Sequence, residues 1–317
     1  MLDVRRLRLL RELARRGTIA AVAEALAFSP SAVSQQLAVL EREAGLPLLE
    51  RTGRSVRLTP VGQNLVRHAE AVLERLEEAA ADLAEARSGL AGALRIGAFP
   101  TATRAIVPAA LAALARRHPG LEPMVSETDP AAVAHALRAG DLDVALVHEY
   151  DFVPAAPEPG LATEPLYREA MYLAAPAAAP VPAPVPPTGS GPGHDQGAAL
   201  RAHADAPWIT ATPGTLCHAM TVRACQAAGF TPRVRHRVDE FATVLALVAA
   251  GQGVAVVPQL GIPEHGAPAV ALTRLLMERR TQVAFRSGAA AHPAVAAFGA
   301  ALRAAVPPEL AATEAKG

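Results

Sequence analysis

Serine and glutamine side chains recur at helical spacing in segment 29–36, where their types suggest hydrogen-bonding chemistry. At 100° per residue, Val33, Leu37 and Leu40 share one narrow arc of a helix, which predicts that this arc faces a core. The opposite arc carries small or amide side chains: Ser31, Ser34, Gln35 and Ala38. Ser and Gln bond base edges or phosphates in a major groove. We therefore predict groove insertion, with a merely solvated face as the alternative.

A basic hairpin is predicted downstream, over Leu48–Pro60, where two short strand patterns flank Gly53. Arg51, Arg54 and Arg57 project from it and are suited to neutralising phosphates, a contribution that is independent of sequence and weakens as salt rises. A solvated basic hairpin is the alternative. The predicted DNA-binding residues of the two segments are Ser29, Ser31, Ser34, Gln35, Gln36, Arg51, Arg54 and Arg57.

Three helices are predicted to position these side chains. The first covers roughly residues 3–15, the second begins near Thr18, and the third follows Ser29-Pro30. Ser29 is suited to cap the third helix, and proline is tolerated at a first helical position because its missing N–H costs nothing there. The short turn before Ser29 is typical of a helix-turn-helix.

Charge and composition agree with a basic N-terminal segment, residues 1–60, at the start of a larger protein; this segment is called the head below. The chain has 317 residues and zero formal net charge, enough material for two or three domains. Residues 1–60 nevertheless hold ten arginines against six acids. The N-terminus has no signal-peptide core, no apolar run reaches membrane-spanning length, and two cysteines fit a reducing compartment. These features predict a soluble, cytoplasmic protein.

A heptad seam is predicted over residues 61–90, a proline-free stretch in which apolar residues repeat with spacing 4-3-4-3. We interpret the stretch as a linker helix that pairs two chains, and a single helix packed on its own domain is the alternative. The predicted dimerisation residues are Leu65, Val72, Leu76 and Leu83.

Short β-rich runs alternate with helical segments from residue 93 onward, which predicts βα units and mainly parallel sheets. The biased composition of residues 177–197, rich in Pro, Ala, Gly and Ser, predicts an exposed, flexible loop. Residues 309–317 are expected to form a frayed tail.

The head resembles a known family in its motifs Thr18–Leu26, Ser29–Leu37, Leu40-Glu41 and Leu48–Gly62. These segments resemble the N-terminal signature of bacterial LysR-type transcriptional regulators, and Gly251–Pro258 is similar to a common segment of that family. One departure is Gln36, where many members carry a basic residue, so the base preference is not carried over from relatives.

The resemblance implies an all-α winged helix-turn-helix domain plus a long linker helix, followed by an α/β two-subdomain domain of the periplasmic-binding-protein type. The expected bounds are 1–60 for the DNA-binding domain, 61–90 for the linker helix and 91–308 for the effector-binding domain. Crossovers near residues 163–168 and 266–270 would divide the last into lobe I (91–163 and 270–308) and lobe II (168–266). The implied partners are double-stranded operator DNA, a second copy or a tetramer of the chain, and a small-molecule effector, with RNA polymerase as a further candidate.

An effector site is expected between the two lobes. The first strand of lobe I leads through Pro100 into a helix start whose free N–H groups are suited to a carboxylate or other anion. Thr101, Thr103 and Thr212 match positions that contact effectors in similar members of the family, and His148 matches a cleft position. The candidate effector-binding residues are Thr101, Thr103, His148, Thr210, Thr212 and Phe241. A cap or a packed core residue is the alternative at each position.

Three other functions compete with this hypothesis. Enzyme catalysis and a resident metal or cofactor are not expected, because His-Glu-x-x-His, paired Cys-x-x-Cys and Gly-x-Ser-x-Gly motifs are missing from the sequence. A solute-binding protein would need an export signal and would not need the basic head. Thiol redox sensing would use Cys217 and Cys225, which at helical spacing stand about 12 Å apart, beyond disulfide reach without unwinding.

Overall fold

Three helices and a hairpin form the N-terminal head, and a fourth helix forms the linker. The computed structural model describes residues 2–52, 55–85, 90–155, 157–177, 194–263, 265–267 and 269–310. The elements of the head and linker are α1 (Val4–Arg16), α2 (Ile19–Ala25), α3 (Pro30–Ala44), β1 (Leu49–Thr52), β2 (Ser55–Leu58) and α4 (Pro60–Glu85). The three predicted helices are confirmed, each within a residue or so of its expected start.

Local capping fixes the helix starts of the head. The Thr18 hydroxyl accepts a hydrogen bond from Ala21 N at 3.2 Å, and the Ser29 hydroxyl accepts one from Ala32 N at 3.2 Å. Each bond satisfies a backbone N–H that a helix start leaves without an intrahelical partner. Buried leucines of α1 and α3 then form one core, in which Leu10, Leu37 and Leu40 are almost fully enclosed.

The apolar seam of the linker helix α4 has a part that packs on the head and a part that is exposed. Ala69 is buried in the head core and Leu65 packs partly against it, so the alternative of a helix packed on its own domain describes this first part. Val72, Leu76 and Leu83 are exposed on the single chain. The described helix runs from Pro60 to Glu85, and residues 86–89 of the expected linker lie outside the described part. Dimerisation through Val72, Leu76 and Leu83 therefore stays a prediction.

The larger domain is built on a six-stranded sheet of order β4-β3-β5-β10-β6-β9. Its first half comprises β3 (Ala91–Ala98), α5 (Pro100–Ala105), α6 (Val107–Arg117), β4 (Gly120–Glu127), α7 (Pro130–Ala139), β5 (Val144–Tyr150) and β6 (Leu161–Pro176). The second half comprises α8 (His194–Arg201), β7 (Pro207–Thr210), α9 (Leu216–Ala227), β8 (Arg233–Arg237), α10 (Phe241–Ala249), β9 (Ala255–Pro258), β10 (Val270–Arg286) and α11 (Pro293–Ala305).

The long antiparallel strands β6 and β10 carry the chain between the lobes. Their register pairs Glu169 with Arg279 and Tyr167 with Thr281. β3 pairs in parallel with β4 and β5, and β7 with β8, whereas β10 and β9 pair antiparallel with their neighbours. The expectation of mainly parallel sheets was wrong, because the crossovers are full-length strands that run against β5 and against each other.

Each of two predicted irregular segments includes residues that belong to the folded structure. The predicted loop 177–197 contains the start of α8 at His194, and residues 178–193 lie outside the described part. In the predicted tail, Leu310 packs in the core of lobe I and is 2% exposed, while residues 311–317 are outside the described part. An apolar side chain that finds a core position overrides the composition of its segment.

Candidate functional site

The outward arc of α3 is open to solvent. Ser31, Gln35 and Gln36 are exposed and Ser34 is half-buried, whereas Val33, the first residue of the predicted inward arc, is 1% exposed. The predicted division of the helix into two arcs is therefore confirmed. Two of the polar side chains also have partners within the head. The Ser29 and Ser31 hydroxyls lie 3.0 Å apart, and Gln36 Oε1 accepts a hydrogen bond from Nε of Arg6 on α1 at 2.9 Å.

The predicted wing is a two-stranded antiparallel hairpin in which Arg51 pairs with Val56 and Glu50 with Arg57. The side chain of Arg57 is exposed. Arg54 and Gly53 lie outside the described residues, as does the side chain of Arg51. The hairpin therefore presents at least one guanidinium beside the helix that begins at Pro60.

A cavity of about 280 Å³ lies between the lobes. Lobe I contributes the end of β3, the start of α5 and His148 of β5, and lobe II contributes the starts of α9 and α10. A volume of this size is near the lower end of the range for small-molecule sites. Its lining residues are Phe99, Pro100, Thr101, Arg104, Glu127, Thr128, Asp129, Pro130, His148, Ala211, Thr215, Leu216, Cys217, Asp239, Glu240, Phe241 and Arg279.

A buried ion pair lies beneath this cavity. Arg279 Nε donates to Glu169 Oε1 at 2.7 Å, and the two side chains are 1% and 0% exposed. Arg279 Nη2 donates to the Thr101 hydroxyl at 2.8 Å, and Leu260 N donates to the other Glu169 oxygen at 2.8 Å. The guanidinium also stacks over the Phe99 ring, 4.9 Å from its centroid. The pair therefore joins both crossover strands to both lobes.

His148 is a buried side chain in contact with the cavity. It is 7% exposed, and both of its ring nitrogens lack a hydrogen-bond partner among the described residues. Phe99 and Tyr150 pack edge-on against it, with ring centroids 4.6 and 5.1 Å away. Burial, and to a smaller extent the positive charge of Arg279, hold the pKa of His148 well below its usual value. The imidazole is therefore neutral near pH 7, with one donor and one acceptor.

Cys217 lies at the other side of the cavity, one residue into α9. Its Sγ is 2.8 Å from the Tyr150 hydroxyl, and burial raises the pKa of the thiol. Cys225 lies two helical turns further on, in the core of lobe II, where burial raises its thiol pKa to about 12. Both thiols are therefore protonated near pH 7, and neither is activated as a nucleophile.

Carboxylates dominate the rim of the cavity. Glu127, Asp129, Asp239 and Glu240 face only one rim guanidinium, Arg104, whose Nη1 is 3.7 Å from Glu240. Side chains of the rim also occupy the helix starts around the cavity. Asp129 accepts from Ala131 N at 2.8 Å, Glu240 from Thr243 N at 2.7 Å, and Thr215 from His218 N at 3.2 Å. Side chains therefore take up N–H groups at these three helix starts, whereas the start of α5, where the sequence predicts an anion site, has no side-chain cap.

Three of the six candidate effector residues line the cavity: Thr101, His148 and Phe241. Thr103 turns back to donate to Phe99 O at 3.2 Å. Thr210 is buried beside His218, and the Thr212 hydroxyl donates to Asp239 Oδ2 at 2.8 Å. These last three threonines lie outside the lining.

Sequence reasoning missed Arg279, Glu169 and the position of Cys217 in the lining of the cleft. A signal for the ion pair was present, because alternate residues of β10 are buried and Arg279 falls at one of these positions. The other buried positions in this phase are Leu275, Met277, Thr281 and Val283. A charged residue on the buried phase of a strand needs a partner. The identity of that partner depends on register and is not a local property.

The fold and these surfaces define a class of two-domain DNA-binding transcription regulators. Residues 4–63 match the bacterial regulatory helix-turn-helix protein model of the lysR family, and residues 87–307 match the LysR substrate binding domain. The chain belongs to the LysR family of transcription regulators. Within the described ranges, no helix combines the length and apolar composition that crossing a bilayer requires.

Individual relatives agree with this assignment. A probable hydrogen peroxide-inducible genes activator of Mycobacterium avium is 33% identical and covers 76% of this chain and 73% of its own length. The regulator TfdS of Cupriavidus pinatubonensis is 32% identical, with coverage of 81% and 82%. A solved structure of a Corynebacterium glutamicum OxyR mutant with bound hydrogen peroxide is 26% identical, with a TM-score of 0.55 over 96% of this chain and 92% of that one.

Proposed function

We propose that this LysR-family regulator binds operator DNA through α3 and the wing, and that a small molecule in the interlobe cavity modulates that binding. The protein acts by binding and not by catalysis, in keeping with the regulators to which it is similar. Two chains pair through the exposed seam of α4 and present two recognition helices to an operator with approximate dyad symmetry.

The observation that carries the effector proposal is His148. A neutral imidazole that is nearly fully buried and has no partner for either nitrogen among the described residues incurs a desolvation cost that a hydrogen-bonding ligand in the cavity would offset. The rim carboxylates disfavour an anion, and Glu169 already neutralises Arg279. The chemistry of the lining therefore favours a small, uncharged molecule with hydrogen-bonding groups and an apolar part that reaches Phe99 and Phe241.

A matched pair of probes tests this proposal. Benzamide at millimolar concentration is expected to raise the melting temperature of the full chain more than benzoate does, because a ligand that prefers the folded cavity stabilises it. His148→Phe should abolish the benzamide shift, whereas Thr103→Val, outside the lining, should preserve it. A larger shift with benzoate, or an undiminished shift in the His148 variant, would reject this assignment of the cavity.

Thiol redox sensing is the alternative function. It is supported by the names of relatives such as the Mycobacterium avium activator and by the position of Cys217 in the cleft. A disulfide between Cys217 and Cys225 is disfavoured because both lie on α9. Eight residues of helix separate their Cα atoms by about 12 Å, whereas a disulfide requires Cα atoms less than about 7 Å apart. We expect hydrogen peroxide to leave the intact mass of the protein unchanged; loss of two hydrogens, abolished in Cys217→Ser, would establish redox sensing instead.

A paired substitution tests the DNA-binding surface. The reference duplex is one selected by the pure protein, and it is compared with its single-base variants. Gln35→Ala is expected to reduce the difference in binding free energy between them by about 1–3 kcal/mol, because an amide that pairs with a base edge is lost. Arg57→Ala should weaken all duplexes alike and reduce the slope of log K against log salt by about 1. Unchanged binding in both variants would show that α3 and the wing are not the DNA-contacting surface.

A further inference from the structure

The head docks against lobe I along a line of arginine contacts. The guanidiniums of Arg8 and Arg15, on α1, donate to the backbone oxygens of Arg138 and Pro159. Arg16 Nη2 lies 2.6 Å from His135 Nδ1, on α7. A second set of contacts involves the linker helix, where Glu77 accepts from Arg286 Nε at 2.9 Å. Both α1 and α4 therefore contact the effector domain of the same chain.

A cavity of about 430 Å³ lies at this junction, separate from the interlobe cavity. Four guanidiniums from both domains line it, together with three glutamates of α4. The charged lining residues are Arg8, Arg11, Arg138, Arg286, Glu70, Glu74 and Glu77. It shares no residue with the lining of the effector cleft or with the outward arc of α3.

Guanidiniums of the two domains lie close together at this junction. Arg11 and Arg138 are each 8% exposed, and the Nε of each has no hydrogen-bond partner within the described ranges. No carboxylate of the described chain lies within 4.0 Å of the Arg8 guanidinium. Burial lowers the pKa of Arg11, the carboxylate of Glu12 opposes this shift, and the charges of Arg8 and Arg138 lower the pKa further. These guanidiniums repel one another where water is scarce.

The glutamates of the cavity are engaged or exposed. Glu70 lies 3.1 Å from Arg15 Nη2, and Glu77 is held by Arg286. Glu74 is exposed to solvent on α4. Glu12 is shared among three arginines of α1: Arg11, Arg15 and Arg16. Among the guanidiniums that line the cavity, Arg8 is therefore the one without a carboxylate partner within 4.0 Å in the described part of the chain.

We propose that this interdomain cavity binds a small, multiply charged anion of the phosphate class, held between Arg8 of the head and Arg138 of lobe I, with Arg11 at its base. Guanidinium forks match phosphate oxygens in pairs, and such bonds strengthen where solvent is partly excluded. An anion bound by both domains favours the docked arrangement over any arrangement in which the head separates from lobe I. The site thus gives the regulator a second input that acts on the position of the head.

Calorimetric titration of the full chain with inorganic pyrophosphate tests the proposal. The wild type is expected to bind, and Arg8→Gln and Arg138→Gln are each expected to weaken binding at least about tenfold, because either domain alone provides half of the site. Arg75→Gln, on the exposed side of α4, and Arg57→Gln, on the wing, are the matched controls and should bind like the wild type.

Two results would overturn the proposal: the absence of pyrophosphate binding, and binding that survives both cavity substitutions. If Arg57→Gln weakens such surviving binding, the anion lies on the DNA-contacting surface. Arg138 also holds Glu158 at 2.5 Å, so its replacement can unfold lobe I. In that case Arg8→Gln decides, since Arg8 is only half-buried and its hydrogen-bond partner in the described part of the chain is a backbone oxygen.

Discussion

Arg279→Met is expected to lower the free energy of unfolding of the effector domain by about 3–5 kcal/mol, because it leaves the Glu169 carboxylate buried without a counter-charge. Glu169 has a fully enclosed side chain whose remaining hydrogen bond comes from Leu260 N. Methionine fills much of the arginine volume, so the loss reports the charge more than a cavity. Urea unfolding followed by the fluorescence of Trp208, the single tryptophan of the chain, measures the effect.

An exposed ion pair of the same domain provides the control. Arg303 contacts Glu164, and these side chains are 51% and 43% exposed. Arg303→Met should therefore cost no more than about 1 kcal/mol. Combining Arg279→Met with Glu169→Gln should recover part of the loss, since the second change removes the isolated charge. An Arg279 variant as stable as the Arg303 variant would show that the buried pair does not stabilise the crossover strands.

The sequence predicted the head well because the determinants of the head are local. The inward arc of α3, its serine cap and its N1 proline all lie within a dozen residues of one another, and helical periodicity relates them without knowledge of the rest of the chain. The hairpin after Leu48 is likewise a contact between neighbours in sequence. Each of these features was confirmed.

The cleft was predicted only in part, because its chemistry depends on contacts between distant segments. Thr101 and Arg279 are 178 positions apart, and Cys217 meets Tyr150 across 67 positions. No local pattern indicates that Thr212 lies outside the lining and donates to Asp239, which is part of the lining. The long strands β6 and β10 set these distances, and their pairing register is fixed by burial along their full length.

Leu40→Ala is expected to destabilise the head by about 2–5 kcal/mol, because it removes a fully buried side chain from the single core shared by α1, α2 and α3. Hydrogen exchange of the α3 amides in the full chain measures this loss, and DNA affinity should fall with the folded fraction of the head. Leu46→Ala is the matched control, since Leu46 lies just beyond α3 and is 52% exposed. Its effect on stability should stay within about 0.5 kcal/mol.

The response of Trp208 to the same substitution distinguishes two kinds of cooperativity. Trp208 lies in the core of lobe II, far along the chain from the head core. If the head unfolds as its own unit, Leu40→Ala should leave the urea midpoint of Trp208 fluorescence unchanged while the α3 amides exchange faster. A midpoint that falls together with the protection of α3 would contradict independent unfolding. It would mean that the arginine contacts between α1 and lobe I couple the two domains into one cooperative structure. The docking of the head would then contribute to the free energy of unfolding of the effector domain.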